Sequence, residues 1–221
     1  MVHLTAVDSL HRMCGVILSA GASTRMGRDK ALLPWPPAGQ STSADNQTLL
    51  SAAIAALKPF TESVVVVAGK NADNIAPVVS ANGAMMVQNP APERGQFSSL
   101  QVGLRQVLAL GCDAATITLV DCPPLCQTSM QKLSTAFDRA LADGKWGVAP
   151  ENGGKRGHPL LANRALIDAF LAASVTSNAR EVKRANSEMI QAVPVPDSLV
   201  SVDVNTPEEY AALLHAASKP S

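Results

Sequence analysis

Short apolar runs alternate along the chain with longer segments in which apolar residues recur every three or four positions. The short runs predict buried strands at residues 14–18, 63–68, 84–88 and 115–120. The longer segments predict helices at residues 50–57, 73–80, about 100–108 and about 129–142. Because such alternation is typical of a parallel sheet covered by helices, the pattern predicts an α/β sandwich.

The pattern changes after the fourth predicted helix. Two short extended segments, residues 146–150 and 158–162, flank the turn Asn152-Gly153-Gly154, which predicts a hairpin rather than another crossover. The remaining predicted helices cover residues 164–172, residues 178–186 and a last segment that opens at Thr206. There, Thr-Pro-Glu-Glu supplies an N-cap, a proline at the first helical position and a capping-box glutamate. The sheet is therefore expected to be mostly parallel with one mixed region.

The length of the chain and the lack of a linker-like segment indicate a single domain. The chain has 221 residues, which is enough for one sizeable core. Residues 1–12 are expected to form an N-terminal tail, and residues 13–221 one domain without an internal linker. The segment from Trp35 to Gln47 is rich in Pro, Ser, Ala and Asn, so we expect a flexible loop there.

Composition excludes several classes of protein. The 18 basic and 18 acidic side chains cancel, so the basic footprint of a nucleic-acid binder is missing. No apolar run approaches the roughly 18 residues of a membrane helix, and residues 1–12 lack the apolar core of a secretory signal. The four cysteines have no repeating spacing, which predicts reduced thiols and a cytoplasmic location. Cys122 and Cys126 are expected to be buried or inert thiols rather than zinc ligands.

The segment after the first predicted strand has the chemistry of an anion-binding loop. It contains Gly21 and Gly27, hydroxyl side chains, and the cations Arg25, Arg28 and Lys30. Small residues let the backbone approach a ligand closely, and the adjacent positive charge favours a polyphosphate. The glycine spacing differs from that of a P-loop, and a serine at position 23 breaks the dinucleotide-binding fingerprint.

Two further strand ends carry polar residues. Asp121 follows the fourth predicted strand, and Ser98 and Ser99 lie at the start of a helix after the third. Because ligands of such sheets collect at the carboxyl ends of the strands, these groups and the glycine-rich loop would suit a nucleotide and its magnesium. Taken singly, each has a plainer interpretation: Asp121 as a turn residue and the two serines as helix caps. His158 could equally be an ordinary surface or core histidine, and Asp203 could belong to the turn before the last helix.

Taken together and in order, the motifs resemble those of the MobA-like nucleotidyltransferases. LSAGASTRMGRDK (residues 18–30) resembles the family loop, and TLVDCPP (118–124) its strand-end acidic motif, with Cys122 where Met is common. RGHP (156–159) and DVNTPEEY (203–210) resemble two further signatures. GQFSSL (95–100) and RGHP are similar to the molybdenum cofactor cytidylyltransferase branch, whereas the Gly-Pro-Leu-Ala-Gly segment of the guanylyltransferase branch is missing. The segment from Trp35 to Gln47 is longer than in relatives.

The resemblance implies a three-layer αβα fold of the glycosyltransferase-A type, shared with nucleotide-diphospho-sugar transferases. It implies transfer of CMP from CTP to the terminal phosphate of Mo-molybdopterin, with release of pyrophosphate. Magnesium is the implied cofactor and manganese its alternative, and a molybdoenzyme or its maturation chaperone is a further partner. The implied residues are Leu18, Ala20, Gly21, Arg25 and Lys30 for the nucleotide, Ser98 and Ser99 near its base and ribose, Asp121 and Asp203 for the metal, and Arg156 and His158 for the acceptor. Arg25, Lys30 and Asp121 would be catalytic.

Other functions remain open at the level of the sequence. A related nucleotidyltransferase could use GTP, or a different acceptor such as a sugar phosphate. A nucleotide-binding maturation factor without turnover is a third hypothesis, although two metal carboxylates are more than a binder needs.

Overall fold

The computed structural model describes residues 11–36, 47–174 and 176–217. Within these ranges the strands are β1 (Met13–Ser19), β2 (Ser63–Ala68), β3 (Met85–Gln88), β4 (Ala114–Leu119), β5 (Gly147–Asn152), β6 (Lys155–Arg156), β7 (Leu160–Asn163) and β8 (Ile190–Pro194). The α-helices are α1 (Leu49–Leu57), α2 (Ala72–Ala81), α3 (Gln96–Ala109), α4 (Gln127–Ala142), α5 (Arg164–Ala172), α6 (Ala179–Ala185) and α7 (Pro207–Ala217). The strands form one mixed sheet.

The parallel half of the sheet has β1 at its centre. β1 pairs in parallel with β2 on one side and β4 on the other, and β3 continues the parallel half beyond β2. The mixed half begins at β7, which is antiparallel to both β4 and β5. β5 also pairs with the two-residue β6 across the glycine turn, and in parallel with β8. The carboxyl ends of β1, β2, β3 and β4 therefore lie at one edge, as the sequence predicts.

Alternation along the strands builds two apolar layers. In β1, Ile17 faces one core cluster while Val16 and Leu18 face the other, because successive strand side chains point to opposite faces. The first cluster includes apolar residues of α1, α2 and α4, and the second includes those of α3 and α5. Helices thus cover both faces of the sheet, which confirms the predicted three-layer αβα architecture.

The sequence pattern missed β8. Its residues read Ile-Gln-Ala-Val-Pro, and Pro196 follows closely, so prolines mask the extended pattern. Proline is tolerated in an edge strand, and among the described strands β8 pairs with β5 alone. The other predicted strands and helices are confirmed to within a few residues.

The predicted loop from Trp35 to Gln47 lies mostly outside the described residues, as do residues 1–10 of the predicted tail. At the start of that loop, Trp35 is buried with Leu33 and Tyr210 rather than exposed. Its backbone N–H donates to the Gln47 carbonyl at 3.0 Å, which brings the two ends of the segment together. In the part of the chain that is described, no helix has the length and apolar character needed to cross a membrane.

The prediction of four reduced cysteines is wrong for one pair. Cys14 of β1 and Cys112, which precedes β4, form a disulfide with 6.1 Å between their Cα atoms. The pairing follows from the parallel register, because residues that enter adjacent strands at the same sheet edge become neighbours. Cys122 and Cys126 are free thiols; Cys122 is buried, whereas Cys126 is exposed.

Candidate functional site

The loop after β1 is held in a tight conformation. Ser23 has φ 49° and Gly27 φ 70°, both in the left-handed region, and the Met26 N–H donates to the Ser23 carbonyl at 3.0 Å. The Ser23 hydroxyl in turn accepts from the Lys30 backbone N–H at 3.3 Å. Asp29 caps the short 3-10 helix Lys30–Leu32 by accepting from the Ala31 N–H. These bonds fix the direction in which Lys30 leaves the loop.

A second loop, between β2 and α2, holds the loop after β1 in place through hydrogen bonds. The Asn71 amide nitrogen donates to Asp29 Oδ2 at 2.7 Å and to the Ser19 carbonyl at 3.0 Å. The adjacent Gly69 allows close approach, because a Cβ there would lie 2.6 Å from the Ala20 carbonyl oxygen. The loop after β2 thus shapes the glycine-rich loop through the Asn71 side chain and the close approach of Gly69.

Lys30, Asp121, Asn205, Asp203 and Arg25 form one polar cluster. Lys30 Nζ donates to Asp121 Oδ2 and to Asn205 Oδ1, each at 2.9 Å. The Asn205 amide nitrogen donates to Asp203 Oδ2 at 2.7 Å, and Arg25 Nη2 donates to Asn205 Oδ1 at 3.2 Å. The side chains of Lys30 and Asp121 are only 12% and 19% exposed. The structure therefore brings four residues of the sequence prediction together around a fifth, Asn205.

The segment before α7 joins this cluster to the rest of the site. The Val204 N–H donates to the Asp121 carbonyl at 2.9 Å, which aligns the two acidic segments. Glu209 Oε2 accepts from the backbone N–H groups of Asn205 and Thr206 at 2.6 and 3.1 Å, as the capping-box motif predicts. The position of Asn205 is thus set by the start of the last helix.

A cavity of about 740 Å³ opens beside the cluster, over the ends of β1 and β4. The predicted residues that line it are Leu18, Ala20, Gly21, Lys30, Ser99 and Asp121. Its volume is in the range of small-molecule sites. We refer to it as the loop cavity.

The hydroxyl groups of both predicted serines already make hydrogen bonds within the protein. The Asn89 amide nitrogen donates to the hydroxyls of Ser98 and Ser99, each at 2.9 Å, and both serines are buried. Ser99 borders the loop cavity, whereas Ser98 does not and donates to the Gly95 carbonyl at 2.8 Å. Neither is the N-cap, a position held by Gly95. In this arrangement Asn89 and the serines brace the helix start.

The predicted acceptor residues do not lie together. His158 lines a second cavity of about 380 Å³, whereas Arg156 lines neither cavity and pairs with Glu151 at 3.7 Å. The reason lies in the backbone: Arg156 belongs to the exposed hairpin strand β6, and Gly157 then packs so closely that a Cβ there would meet the Val200 carbonyl. The chain therefore turns inward only at His158.

Burial shifts the pKa of two groups near these cavities. It lowers the pKa of His158, and the neighbouring Lys183 adds to the effect, so the imidazole is neutral at pH 7. Burial also raises the pKa of the Cys122 thiol, with Asp121 and Asp203 contributing. Cys122 is therefore a protonated, unreactive neighbour of the cluster.

Sequence reasoning missed Asn205, the residue on which the cluster converges. It lies inside the DVNTPEEY motif, two positions after Asp203, so the motif was the available signal. An asparagine just before a helix is usually interpreted as a turn or cap residue. Its contact with Lys30 could not be inferred locally, because Lys30 lies 175 residues earlier in the chain.

The two carboxylates of the polar cluster suit a hard divalent cation. Asp121 and Asp203 supply carboxylate oxygens, and Asn205 holds the two segments together through Lys30 and Asp203. Within the described residues no group of three or more His, Cys, Asp or Glu side chains converges to hold a metal. Magnesium commonly uses only one or two carboxylates and completes its shell with water and substrate phosphates, so the donor set fits.

Comparison with known sequences gives matches over most of the chain. A family model described as the MobA-like NTP transferase domain matches residues 15–190. The molybdenum cofactor cytidylyltransferase of Escherichia coli is 23% identical over 197 residues, which cover 88% of this chain and 92% of that protein. A probable molybdenum cofactor guanylyltransferase of Mycobacterium avium is 29% identical over 219 residues, 95% of this chain and 98% of that protein.

Solved structures share the fold. Rv0371c of Mycobacterium tuberculosis superposes with a TM-score of 0.72 at 19% identity, covering 92% of this chain and 98% of its own. Its complex with manganese superposes with a TM-score of 0.66 at 18% identity, covering 93% and 99%. At these identities the likeness concerns the fold.

Proposed function

The chain belongs to the MobA-like NTP transferase family, and from that premise we propose that it transfers CMP from CTP to the phosphate of a molybdopterin-type acceptor. The observation that carries the proposal is the contact of Lys30 with both Asp121 and Asn205 beside the loop cavity. This arrangement combines cations for a triphosphate with carboxylates for its metal at one edge of the sheet.

The residues would act mainly by neutralising and aligning charge. The acceptor phosphate attacks the α-phosphorus of the nucleotide, the bond to the bridging oxygen breaks, and pyrophosphate leaves with the bonding electrons. Two anions meet in this step, so Lys30 and Arg25 would offset charge on the triphosphate. A phosphate acceptor is already ionised at pH 7, so no general base is needed.

Asp121 and Asp203 would hold the divalent metal, Mg²⁺ or Mn²⁺. When bound, the metal supplies positive charge to the phosphate oxygens and helps to orient them. Before it binds, the ammonium of Lys30 neutralises Asp121 and keeps its carboxylate in place. Asn205 keeps Asp203 in register with that pair.

GTP is the second candidate nucleotide. The 29% identity to a probable guanylyltransferase favours it, whereas the GQFSSL segment, which forms the start of α3 beside the loop cavity, favours CTP. We propose CTP because this segment, which resembles the cytidylyltransferase branch, borders the loop cavity.

Pyrophosphate release distinguishes the candidates. The purified protein is incubated with Mg²⁺ and each of the four nucleoside triphosphates, with and without Mo-molybdopterin. We expect release with CTP that depends on the acceptor. Release with GTP instead would establish the second candidate. Binding of a nucleotide without release in any combination would overturn the proposal and favour a maturation factor without turnover.

A further inference from the structure

The second cavity adjoins the loop cavity and differs from it in chemistry. The two cavities share Leu18, Gly95 and Gln96 in their linings, so they lie next to each other. With a volume of about 380 Å³, the second cavity can accommodate the body of a small molecule. We call it the cationic cavity.

Three cations and no carboxylate line the cationic cavity. The cations are Arg94, at the end that approaches the loop cavity, and Arg180 and Lys183, both from α6. None of the three side chains makes an ion pair or a hydrogen bond with another described residue. Burial lowers the pKa of Lys183, and the nearby Arg180 lowers it further. Lys183 is partly buried, whereas Arg94 and Arg180 are exposed. A partly desolvated ammonium without a protein partner is stabilised by an anionic ligand.

The other walls are apolar and partly aromatic. Phe97 and Phe170 meet edge to face with ring centroids 6.4 Å apart, and Leu160 adds an aliphatic wall. Planar groups pack well against such surfaces. The lining therefore fits a ligand with a flat, largely apolar body and at least one negative charge.

The two α6 cations lie away from the site of phosphoryl chemistry. Lys30 and Asp121 line the loop cavity and not the cationic cavity, whereas Arg180 and Lys183 line the cationic cavity and not the loop cavity. A phosphate positioned for attack beside Asp121 therefore leaves Arg180 and Lys183 to another part of the same ligand.

We propose that the cationic cavity holds the body of the acceptor, and that Arg180 and Lys183 bind an anionic group on that body, separate from the attacking phosphate. Identifying the ligand as the acceptor rests on the proposed function. The consequence is specificity: an acceptor with a neutral body, such as a simple sugar phosphate, leaves two cations without a partner and binds more weakly.

Chemical labelling tests the cavity without any turnover. Pyridoxal 5′-phosphate is a flat anionic aldehyde; it condenses with a neutral amine, releasing water, and borohydride reduces the imine to a stable secondary amine that mass spectrometry locates. We expect preferential labelling of Lys183 over the exposed Lys132 on α4, suppressed by pyridoxine 5′-phosphate, which lacks the aldehyde. Magnesium–CTP should protect Lys30 and leave Lys183 labelled. Equal labelling of Lys183 and Lys132 would overturn the proposal.

Two variants of α6 provide a matched pair. Arg180→Ala should reduce the labelling of Lys183 by pyridoxal 5′-phosphate about tenfold more than its labelling by pyridoxal, which lacks the phosphate and reports the reactivity of the amine alone. Arg184→Ala, whose residue lines neither cavity, should have no such effect. In the transfer assay Arg180→Ala should raise the acceptor KM about tenfold and leave the nucleotide KM unchanged. Unchanged labelling, or equal effects of both variants, would contradict the inference. Specific labelling in a protein without transfer activity would contradict the proposed function and retain the anion site.

Discussion

At the scale of single residues, Lys30 connects the glycine-rich loop to the acidic segments, because its ammonium contacts both Asp121 and Asn205. The partner carboxylate is only 19% exposed, so its removal leaves a cation in a poorly solvated place. This gives Asp121 a double importance: it organises the cluster without substrate and would hold the metal during the reaction.

Replacing Asp121 tests that role. Asp121→Ala should lower the rate of pyrophosphate release on the order of a thousandfold, because several kcal/mol of transition-state stabilisation are lost. Thermal unfolding should show a folded protein, and Asp138→Ala on the exposed side of α4 should retain full activity. A folded Asp121→Ala protein with near-normal rates would remove this residue from the reaction.

Asn205 provides a second test, derived from the structure. Asn205→Ala removes an acceptor for Lys30 and Arg25 and a donor for Asp203, so kcat should fall about 10- to 100-fold and the metal requirement should rise. The control is Asn82→Ala, at the end of α2, which changes neither quantity. Steady-state kinetics at several metal concentrations measure both effects. An unaltered metal dependence would mean that Asn205 does not position Asp203.

The lowered pKa of His158 predicts how the free energy of unfolding depends on pH. Its pKa in the folded protein lies below the ordinary value of 6.5, so the unfolded chain binds the proton more readily. The free energy of unfolding should therefore rise with pH between the lowered pKa and about 6.5, and its full value is present above that window. His158→Gln should flatten the slope by up to about 1.4 kcal/mol per pH unit in urea titrations.

The residues that sequence predicted best are those next to strand ends. Asp121 lies just past β4 and Lys30 lies in the loop that follows β1, and the parallel order of these two strands can be inferred, so their proximity follows from topology. Ser98 and Arg156 were harder to interpret. Whether a serine points to a cavity or to a neighbouring amide, and where a hairpin residue turns, depends on packing that no local pattern encodes.

At the scale of elements, the close approach of the chain after β2 to the glycine-rich loop depends on Gly69, which has no side chain. Gly69→Ala would place a Cβ 2.6 Å from the Ala20 carbonyl, and a backbone contact can relax only by shifting the loop. We expect a loss of about 1–3 kcal/mol in the free energy of unfolding and weaker nucleotide binding.

Gly21→Ala is the matched stability control, since no atom of the described residues lies within 4 Å of the added Cβ. Denaturant unfolding of the two variants gives the comparison. Equal stability of Gly69→Ala and the unsubstituted protein would show that the two loops do not constrain each other.

The elements themselves were largely predictable, because strong apolar runs such as Ser63–Ala68 specify buried strands. β8 was not, because its stability comes from pairing with β5 rather than from its own sequence. The hairpin was predicted from its glycine turn, yet the exit at Gly157 depends on a contact with Val200 that only the folded chain contains.

At the scale of the whole molecule, the disulfide between Cys14 and Cys112 closes a long loop of 98 residues in sequence. Reduction should lower the free energy of unfolding by roughly 2–4 kcal/mol, since the unfolded chain regains freedom. Urea unfolding with and without reductant measures this loss, and the double variant Cys14→Ala/Cys112→Ala should not respond to reductant.

A thiol count in non-reducing denaturant checks the premise directly. Two free thiols, from Cys122 and Cys126, are expected. Four would contradict the disulfide.

The contact between Arg25 and Asn205 joins positions 180 residues apart, and the Tyr210 hydroxyl reaches back to the Pro34 carbonyl over 176 residues. During synthesis, the glycine-rich loop and Asp121 therefore leave the ribosome long before the asparagine that draws them together. A nascent chain that has already formed β1 to β7 still lacks Asp203, Asn205 and the helix that holds them. The polar cluster is thus completed only at the end of translation, and a chain cut short before residue 203 carries the glycine-rich loop without Asp203 and Asn205.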